Sequence, residues 1–185
     1  MPLILRVITR TRRALFELAQ KGPLFEVAQH TYSTRIHWSA EEGSGTTGYA
    51  AYRRDHTIGV EGKATILASS DPSFRGDATR YNPEELLVAS LSSCHMLWYL
   101  HLCATSGVTV VEYTDDALGT MKQEGDGSGQ FVRVELRPRV VVDGASSRER
   151  AFALHERAHT MCFIARSVNF PVEIKAGVTA RSAAD

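Results

Sequence analysis

A long apolar stretch in the middle of the chain constrains the fold more than any other part of the sequence. Residues 82–107 begin with Asn82 and Pro83, followed by two glutamates, and these residue types favour the first turn of a helix. Gly107 is a natural C-terminal stop. Between these signals the residues are apolar or small on nearly every helical face, which is typical of a helix buried all round. The sequence therefore predicts a long central helix as the core of the fold.

The rest of the chain is rich in predicted strands. Turn-forming and β-like residues alternate on both sides of the central helix, which predicts a hairpin over 31–54 and strands over 57–68, 108–113, 117–122, 131–142 and 172–180. A second, amphipathic helix is predicted to begin near Ser146 or Ser147 and to end near Cys162, followed by a short turn over 164–168. Because the strands and helices do not alternate regularly, the expected fold class is α+β and not a doubly wound α/β sheet.

The length of 185 residues fits one domain with an appendage. Residues 1–30 carry five basic and two acidic side chains, whereas the remainder of the chain is net negative. We expect residues 1–30 to be a basic N-terminal extension, either a short surface helix or a tail, and residues 31–185 to be the folded domain. A targeting peptide is the other interpretation of this segment, because it is rich in arginine and poor in acidic residues.

Composition argues against several classes of function. The 21 basic and 21 acidic side chains give zero net charge, so no strong positive field is expected to attract nucleic acid. No uninterrupted apolar run reaches the roughly 18 to 20 residues that span a bilayer, so we expect no transmembrane helix and no membrane partner. The three cysteines, at irregular spacing, do not form a secreted disulfide scaffold, which favours a reducing, cytoplasmic setting.

The three cysteines differ in their expected roles. Cys94 lies on the central helix among small residues that leave room for a cavity, and Cys162 lies at a helix junction where backbone N–H groups can stabilise a thiolate. They form a redox pair only if the fold joins them, which their spacing does not establish. Nine residues place Cys103 on the helix face opposite Cys94 and roughly 13.5 Å away. Those two cannot bridge, and Cys103 is expected in the core.

Histidines raise the question of a metal site. Cys94 and His101 are seven residues apart on one helical face, and His155 and His159 are four apart on the second helix. Neither pair has a carboxylate at a matching offset, and solvated or backbone-bonded histidines are the commoner outcome. We expect no metal and no cofactor.

Three motifs in the chain resemble the OsmC/Ohr family of thiol-dependent peroxidases, in its OsmC-like subgroup. They are the string Tyr81-Asn-Pro-Glu-Glu-Leu-Leu-Val-Ala-Ser-Leu-Ser-Ser-Cys94, the upstream string Tyr52-Arg-Arg-Asp-His56, and the downstream string Met161-Cys162-Phe-Ile-Ala-Arg-Ser-Val168. The resemblance covers about residues 31–180. It implies a cysteine-based peroxidase that reduces organic hydroperoxides, built as an intertwined homodimer in which curved antiparallel sheets wrap two long central helices.

The resemblance also implies a role for four residues. Cys94 corresponds to the peroxidatic cysteine, Cys162 to the resolving cysteine, Arg54 to the activating arginine, and Glu84 to the acid that orients the arginine. The resulting disulfide would be reduced by an external dithiol. The family often has proline after the second cysteine, whereas this chain has Phe163.

Helix geometry bears on the implied roles. Cys94 lies too far from the helix N-terminus to gain much from the dipole, so it needs a cation to react as a thiolate. Glu84 is ten residues, about 15 Å, from Cys94 along the same helix. We therefore expect Arg54 and Glu84 to act on the Cys94 of the other subunit. The alternative is a non-catalytic OsmC-like dimer, stress-associated or binding a ligand or metal.

Overall fold

The computed structural model describes residues 28–40 and 45–182. Residues 28–34 belong to one compact unit, in which they are exposed and form no helix or strand; the remainder belongs to a second unit, Arg35–Asp185. The predicted extension of residues 1–30 lies almost wholly outside the described residues, and the division at residue 30 stays a prediction.

The second unit contains two α-helices, nine strands and two short 3-10 turns among its described residues. The helices are α1, Pro83–Thr105, and α2, Arg148–Met161. The strands are β1 Arg35–His37, β2 His56–Gly59, β3 Ile66–Ala68, β4 Val110–Asp115, β5 Leu118–Gln123, β6 Gly129–Leu136, β7 Pro138–Val142, β8 Val172–Ile174 and β9 Gly177–Ala180. The 3-10 turns are Pro72–Phe74 and Ala165–Ser167. The α+β class is confirmed.

The start and end of α1 follow the predicted signals. The Asn82 side chain accepts a hydrogen bond from the Glu85 N–H at 2.8 Å, and the Glu85 carboxylate accepts one from the Asn82 N–H at 3.2 Å. This reciprocal capping box satisfies two N–H groups that a helix start leaves unpaired. After Thr105 the chain turns through Gly107, whose φ of 70° suits glycine.

Within one chain, α1 is buried along a single stripe and not on all faces. The buried residues recur at helical spacing: Leu91, His95, Tyr99, Leu102 and Cys103. The opposite side is open in the single chain. The all-round burial expected from the sequence is therefore not met within one chain.

The strands form three three-stranded sheets, in the orders β1-β2-β3, β4-β7-β9 and β5-β6-β8. Three chain segments each give one strand to both of the latter two sheets: residues 110–123, 129–142 and 172–180. The last segment runs parallel to its neighbours, since β8 pairs with β6 and β9 with β7 in parallel register. These two sheets are thus mixed, whereas the β1-β2-β3 sheet is antiparallel, as expected.

Two predicted strands are each divided in two where the chain crosses from one sheet to the other. The predicted strand over 131–142 is interrupted at Arg137, whose N–H donates to the Asp115 carboxylate at 2.6 Å, and the predicted strand over 172–180 is interrupted at 175–176. The residues on either side of each interruption keep a β pattern, so the pattern does not reveal the crossing.

The N-terminal sheet differs from the predicted hairpin. The predicted strand over 57–68 is two strands, β2 and β3, joined by a turn that contains Gly62 with a φ of 76°. Residues 45–52 form bends and turns, residues 53–54 belong to no strand, and β1 pairs with β2 instead, with Ile36 opposite Ile58.

The two ends of α1 pack on different sheets. Leu91 in the N-terminal half joins Val134 and Leu136 of β6, whereas Tyr99 and its neighbours in the C-terminal half join β7 and α2. This packing places the middle of α1, where Cys94 lies, at the junction of two hydrophobic clusters.

Of the described helices, α1 is long and apolar enough to cross a membrane by length and composition alone. The core helix of a soluble protein passes the same test. The buried stripe of α1 packs against α2 and the strands, which accounts for part of its apolar character within the folded chain.

Candidate functional site

The fold brings Cys94 and Cys162 together. Cys94 lies midway along α1, and Cys162 is the C-cap of α2, where its N–H donates to the His159 carbonyl at 3.2 Å. The Cys94 side chain lies close enough to raise the pKa of the Cys162 thiol. The Ala165 N–H also points at the Cys162 Sγ, at 3.4 Å. The joining of these cysteines, which spacing alone does not establish, is thus a property of the α1 and α2 packing.

The two thiols have unlike surroundings. Cys162 is only 1% exposed, whereas Cys94 is partly open to solvent. Burial, together with the neighbouring Cys94, raises the pKa of the Cys162 thiol to about 11. Cys162 therefore holds its proton at neutral pH, and a solute entering the site meets Cys94 first.

Cys94 opens into a cavity of about 430 Å³, here named the Cys94 cavity. Its wall combines four apolar side chains with small polar ones and one imidazole: Leu97, Trp98, Phe163, Ile164, Ser90, Ser93 and His101. The ring of Trp98 meets that of Phe163 edge to face at 5.5 Å. Phe163, the residue at which the chain departs from the family pattern, thus forms part of the wall beside the cysteine.

Cys103 is separate from this pair, as predicted. It is 1% exposed and packs in the core cluster around Tyr99. Burial raises the pKa of its thiol. Its position leaves Cys94 and Cys162 as the two cysteines that the fold joins.

Arg54 and Glu84 are not brought together within one chain. The Arg54 guanidinium donates to the backbone carbonyls of Tyr52 at 2.5 Å and Tyr49 at 2.7 Å, and it lies over both tyrosine rings. Among residues 28–40 and 45–182, no ion pair joins it to Glu84. The neighbouring Arg53 instead pairs with Asp55 at 2.5 Å.

Glu84 lies at a separate groove of about 830 Å³ along α1, here named the α1 groove. Its walls come from α1, from β4 to β6 and from the turn at Pro72–Phe74, and include Val88, Met96 and Phe131. The Glu84 Oε2 atom is buried and has no hydrogen-bond partner among residues 28–40 and 45–182. A buried carboxylate oxygen without a partner is energetically unfavourable, so this atom is complementary to a cation from outside the chain.

Sequence reasoning missed a buried pair of imidazoles. His95 Nε2 and His155 Nδ1 are 3.0 Å apart, and the two residues are 0% and 4% exposed. From the sequence, His155 is paired with His159, either as metal ligands or as solvated or backbone-bonded imidazoles. The available signal was the spacing of His95, which falls on the stripe of Leu91 and Tyr99. In the part of the chain that the structure describes, no group of three or more His, Cys, Asp or Glu side chains is placed to hold a metal ion.

Residues 76–176 match the family model described as OsmC-like protein. Among solved structures, an OsmC-like protein from Vibrio cholerae is similar to this chain, with 33% identity, coverage of 82% of this chain and 100% of that chain, and a TM-score of 0.73. An organic hydroperoxide resistance protein OsmC from Legionella pneumophila has 16% identity, coverage of 82% and 99%, and a TM-score of 0.57.

An organic hydroperoxide resistance protein from Elizabethkingia anophelis has 20% identity to this chain, coverage of 83% of this chain and 100% of that chain, and a TM-score of 0.57. At the lower identities the likeness concerns the fold alone. No curated protein matches the sequence. The family match covers more than half of the chain and includes both cysteines of the pair. The chain belongs to the OsmC-like protein family.

Proposed function

We propose that the chain is a thiol-dependent peroxidase that reduces organic hydroperoxides to alcohols. The observation that carries the proposal is the asymmetric cysteine pair: a partly exposed Cys94 at a cavity, in reach of a Cys162 that is buried and protonated. A nucleophile open to substrate and a second thiol held behind it are the two parts that this chemistry requires.

The reaction follows from these positions in two steps. The Cys94 thiolate attacks the distal oxygen of the hydroperoxide; an S–O bond forms, the O–O bond breaks, and the alkoxide takes a proton and leaves as alcohol. The Cys162 sulfur then attacks the sulfenic sulfur of Cys94. An S–S bond forms, the S–O bond breaks, and hydroxide leaves as water with the Cys162 proton.

The Cys94 cavity favours organic substrates over hydrogen peroxide. Leu97, Trp98 and Phe163 give it an apolar wall beside the sulfur. An alkyl or aryl group buried against this wall gains roughly 25 cal/mol per Å² of apolar surface removed from water, whereas hydrogen peroxide has no such surface.

The roles proposed for Arg54 and Glu84 require a second copy of the chain. Among the described residues of one chain, the Arg54 guanidinium donates to backbone carbonyls and pairs with no carboxylate, and the buried Glu84 Oε2 atom has no hydrogen-bond partner. We propose a homodimer in which Arg54 and Glu84 pair next to the Cys94 of the other subunit. The guanidinium stays charged at any physiological pH, so it stabilises the thiolate, and Glu84 orients it.

Turnover needs a reductant from outside the chain. We propose an external dithiol, which opens the Cys94–Cys162 disulfide by thiol exchange and becomes a disulfide itself. A reducing cytoplasm supplies such dithiols, and this is the proposed setting.

Hydroperoxide consumption by the reduced protein tests the proposal. One equivalent of cumene hydroperoxide is added to wild type, Cys94→Ser and Cys103→Ala, and free thiols and cumyl alcohol are counted. We expect wild type and Cys103→Ala to lose two thiols and form one alcohol per chain, and Cys94→Ser to form none. Alcohol formation by Cys94→Ser at the wild-type rate would show that Cys94 is not the nucleophile, and no alcohol from wild type would favour the non-catalytic alternative.

A further inference from the structure

The paired imidazoles of His95 and His155 join the two helices that carry the cysteines. His95 lies on α1 directly after Cys94, and His155 lies on α2 two turns before Cys162. Their ring nitrogens are 3.0 Å apart, within the range of a good hydrogen bond. The ring of Tyr99 stacks on His155 at 3.9 Å and covers the pair from one side.

Both imidazoles are neutral near pH 7. Burial, followed by the proximity of His159, lowers the pKa of His95 to about 4, and burial, followed by the proximity of His95, lowers the pKa of His155 to about 3. Two neutral rings share one proton in their hydrogen bond and carry the other on an outer nitrogen. The outer nitrogens, His95 Nδ1 and His155 Nε2, are buried and have no hydrogen-bond partner in the part of the chain that the structure describes.

The stability of the fold does not by itself explain a buried histidine pair with unpartnered outer nitrogens. Unpartnered buried polar atoms destabilise a fold, and an apolar pair of similar size is often as stable or more stable. A buried hydrogen bond does, however, fix the relative position of two helices, which apolar packing does less strictly. The α2 residues on either side of His155 along this face are the small Ala151 and Ala158, which permit sliding.

A second hydrogen bond between the α1 and α2 regions lies far from the cysteines. Among the hydrogen bonds of the described residues, Arg150 Nη1 donates to the Ser106 carbonyl at 3.1 Å, exposed at the far end of the helix pair. The His95–His155 bond is buried and adjacent to the cysteines. It is therefore the link best placed to hold the two sulfurs in register.

We propose that the His95–His155 hydrogen bond is a positioning element for disulfide formation, which holds α1 against α2 so that the Cys94 and Cys162 sulfurs reach bonding distance. This inference rests on the Cys94–Cys162 disulfide of the proposed function. The bond that forms is S–S; hydroxide leaves Cys94 and takes the Cys162 proton as water.

Disulfide formation tolerates only a small displacement of the two cysteine sulfurs. A disulfide holds its sulfurs about 2.05 Å apart and its Cα atoms usually 4.4 to 6.8 Å apart. One residue of slip along a helix moves a side chain by about 1.5 Å and turns it by about 100°. A misplacement of about 1 Å is enough to lower a reaction rate on the order of 100-fold.

Amide side chains provide matched variants. A glutamine amide reaches the place of a histidine Nε2 atom, and an asparagine amide that of Nδ1. The double variant His95→Gln with His155→Asn therefore keeps a hydrogen bond between the helices. The exchanged variant, His95→Asn with His155→Gln, has the same composition with mismatched reach. The apolar variant, His95→Leu with His155→Leu, removes the bond and leaves no unpaired polar group.

Three quantities are measured for each variant: the rate of sulfenic acid formation with cumene hydroperoxide, the rate of disulfide closure, and the equilibrium constant of the Cys94–Cys162 disulfide with dithiothreitol. The unfolding free energy is the control for a purely structural role. We expect sulfenic acid formation to stay within about threefold in all variants, since the bond does not touch substrate.

In the apolar and exchanged variants we expect closure to slow about tenfold or more, and the equilibrium constant to shift about tenfold towards the dithiol, which corresponds to about 30 mV. The matched-reach variant should stay within about threefold of wild type. If the exchanged variant does not fold, the apolar variant decides alone.

The inference would be overturned if the apolar variant closed its disulfide at the wild-type rate and had the wild-type equilibrium constant. It would also be overturned if the decreases in closure rate followed the unfolding free energy across all variants. Failure of the proposed function is distinguishable. If wild type forms no sulfenic acid with hydroperoxide, the dithiothreitol equilibrium still measures how the histidine pair affects the disulfide.

Discussion

At the level of single residues, surroundings separate three chemically identical thiols. Cys103 is buried in the core, and Cys162 is buried next to Cys94. Of the three, Cys94 is the cysteine that lines a cavity. The sequence predicted the core position of Cys103 from helix geometry and the two reactive positions from motif resemblance. It did not predict their contact, because two residues on different helices meet only through tertiary packing.

Arg54 and Glu84 are the residues whose proposed roles can be separated by mutation. Arg54→Ala removes the charge that we propose stabilises the thiolate, whereas Glu84→Gln is expected to leave the guanidinium charged but less well oriented. A cation within about 4 to 6 Å favours an ionised group by roughly tenfold to thousandfold. We therefore expect Arg54→Ala to lower the rate constant with cumene hydroperoxide at least tenfold at pH 7, and more than Glu84→Gln does.

The control for these variants is Arg139→Ala, a largely exposed arginine on β7. Stopped-flow measurement across pH gives the second readout, since the activity of Arg54→Ala should recover in part as alkaline pH forms the thiolate. Equal, pH-independent losses in Arg54→Ala and Glu84→Gln would show that Arg54 does not activate Cys94.

At the level of elements, the sequence predicts the limits of the helices well and the limits of the strands poorly. The Asn82 cap and the Gly107 stop gave α1 its bounds within about two residues, because capping is a local interaction. The break at Arg137 depends on the carboxylate of Asp115, which lies far away in sequence. No local pattern predicts such an interaction, and the same holds for the His95–His155 link between α1 and α2.

The link between α1 and α2 also predicts how stability depends on pH. The folded chain protonates His95 only near pH 4 and His155 near pH 3, whereas unfolded histidines protonate near pH 6.5. Below pH 6.5 the unfolded state binds more protons, so stability is complete above that pH and is lost as pH falls towards 4. The loss is about 1.4 kcal/mol per pH unit for each imidazole.

Urea unfolding at pH 7.0, 6.0 and 5.0 measures this dependence, with the variant His95→Leu/His155→Leu as the comparison. Carboxylates contribute to both proteins alike, so the difference between the two slopes isolates the imidazoles. Parallel stability curves for the two proteins over this range would contradict the buried, neutral pair.

At the level of the whole molecule, a single chain leaves a large surface incomplete. One face of α1 is open, the α1 groove has a volume of about 830 Å³, and Leu97, Tyr81 and Leu67 are each more than half exposed. A helix so apolar needs more cover than one chain provides, which is why the sequence predicted both all-round burial and a homodimer. The all-round burial of α1 is not met within one chain, and a second copy would cover the open face.

A dimer should therefore form at low micromolar concentration, with a mass of twice 20.4 kDa by light scattering. Ala89→Arg places a long cationic side chain in the α1 groove and should shift the mass towards the monomer. Ala104→Arg, at the exposed end of α1 outside the groove, is the matched control and should remain dimeric. A stable, fully active wild-type monomer would refute the dimer together with the cross-subunit role of Arg54.

Peptide mapping after oxidation shows whether Cys94 and Cys162 act as one redox pair. The reduced protein is treated with one equivalent of cumene hydroperoxide, free thiols are blocked, and the digest is analysed by mass spectrometry. We expect one disulfide within the chain, between Cys94 and Cys162, with Cys103 blocked as a free thiol. A disulfide that involves Cys103, or sulfinic acid on Cys94 with Cys162 still free, would show that the two cysteines are not such a pair.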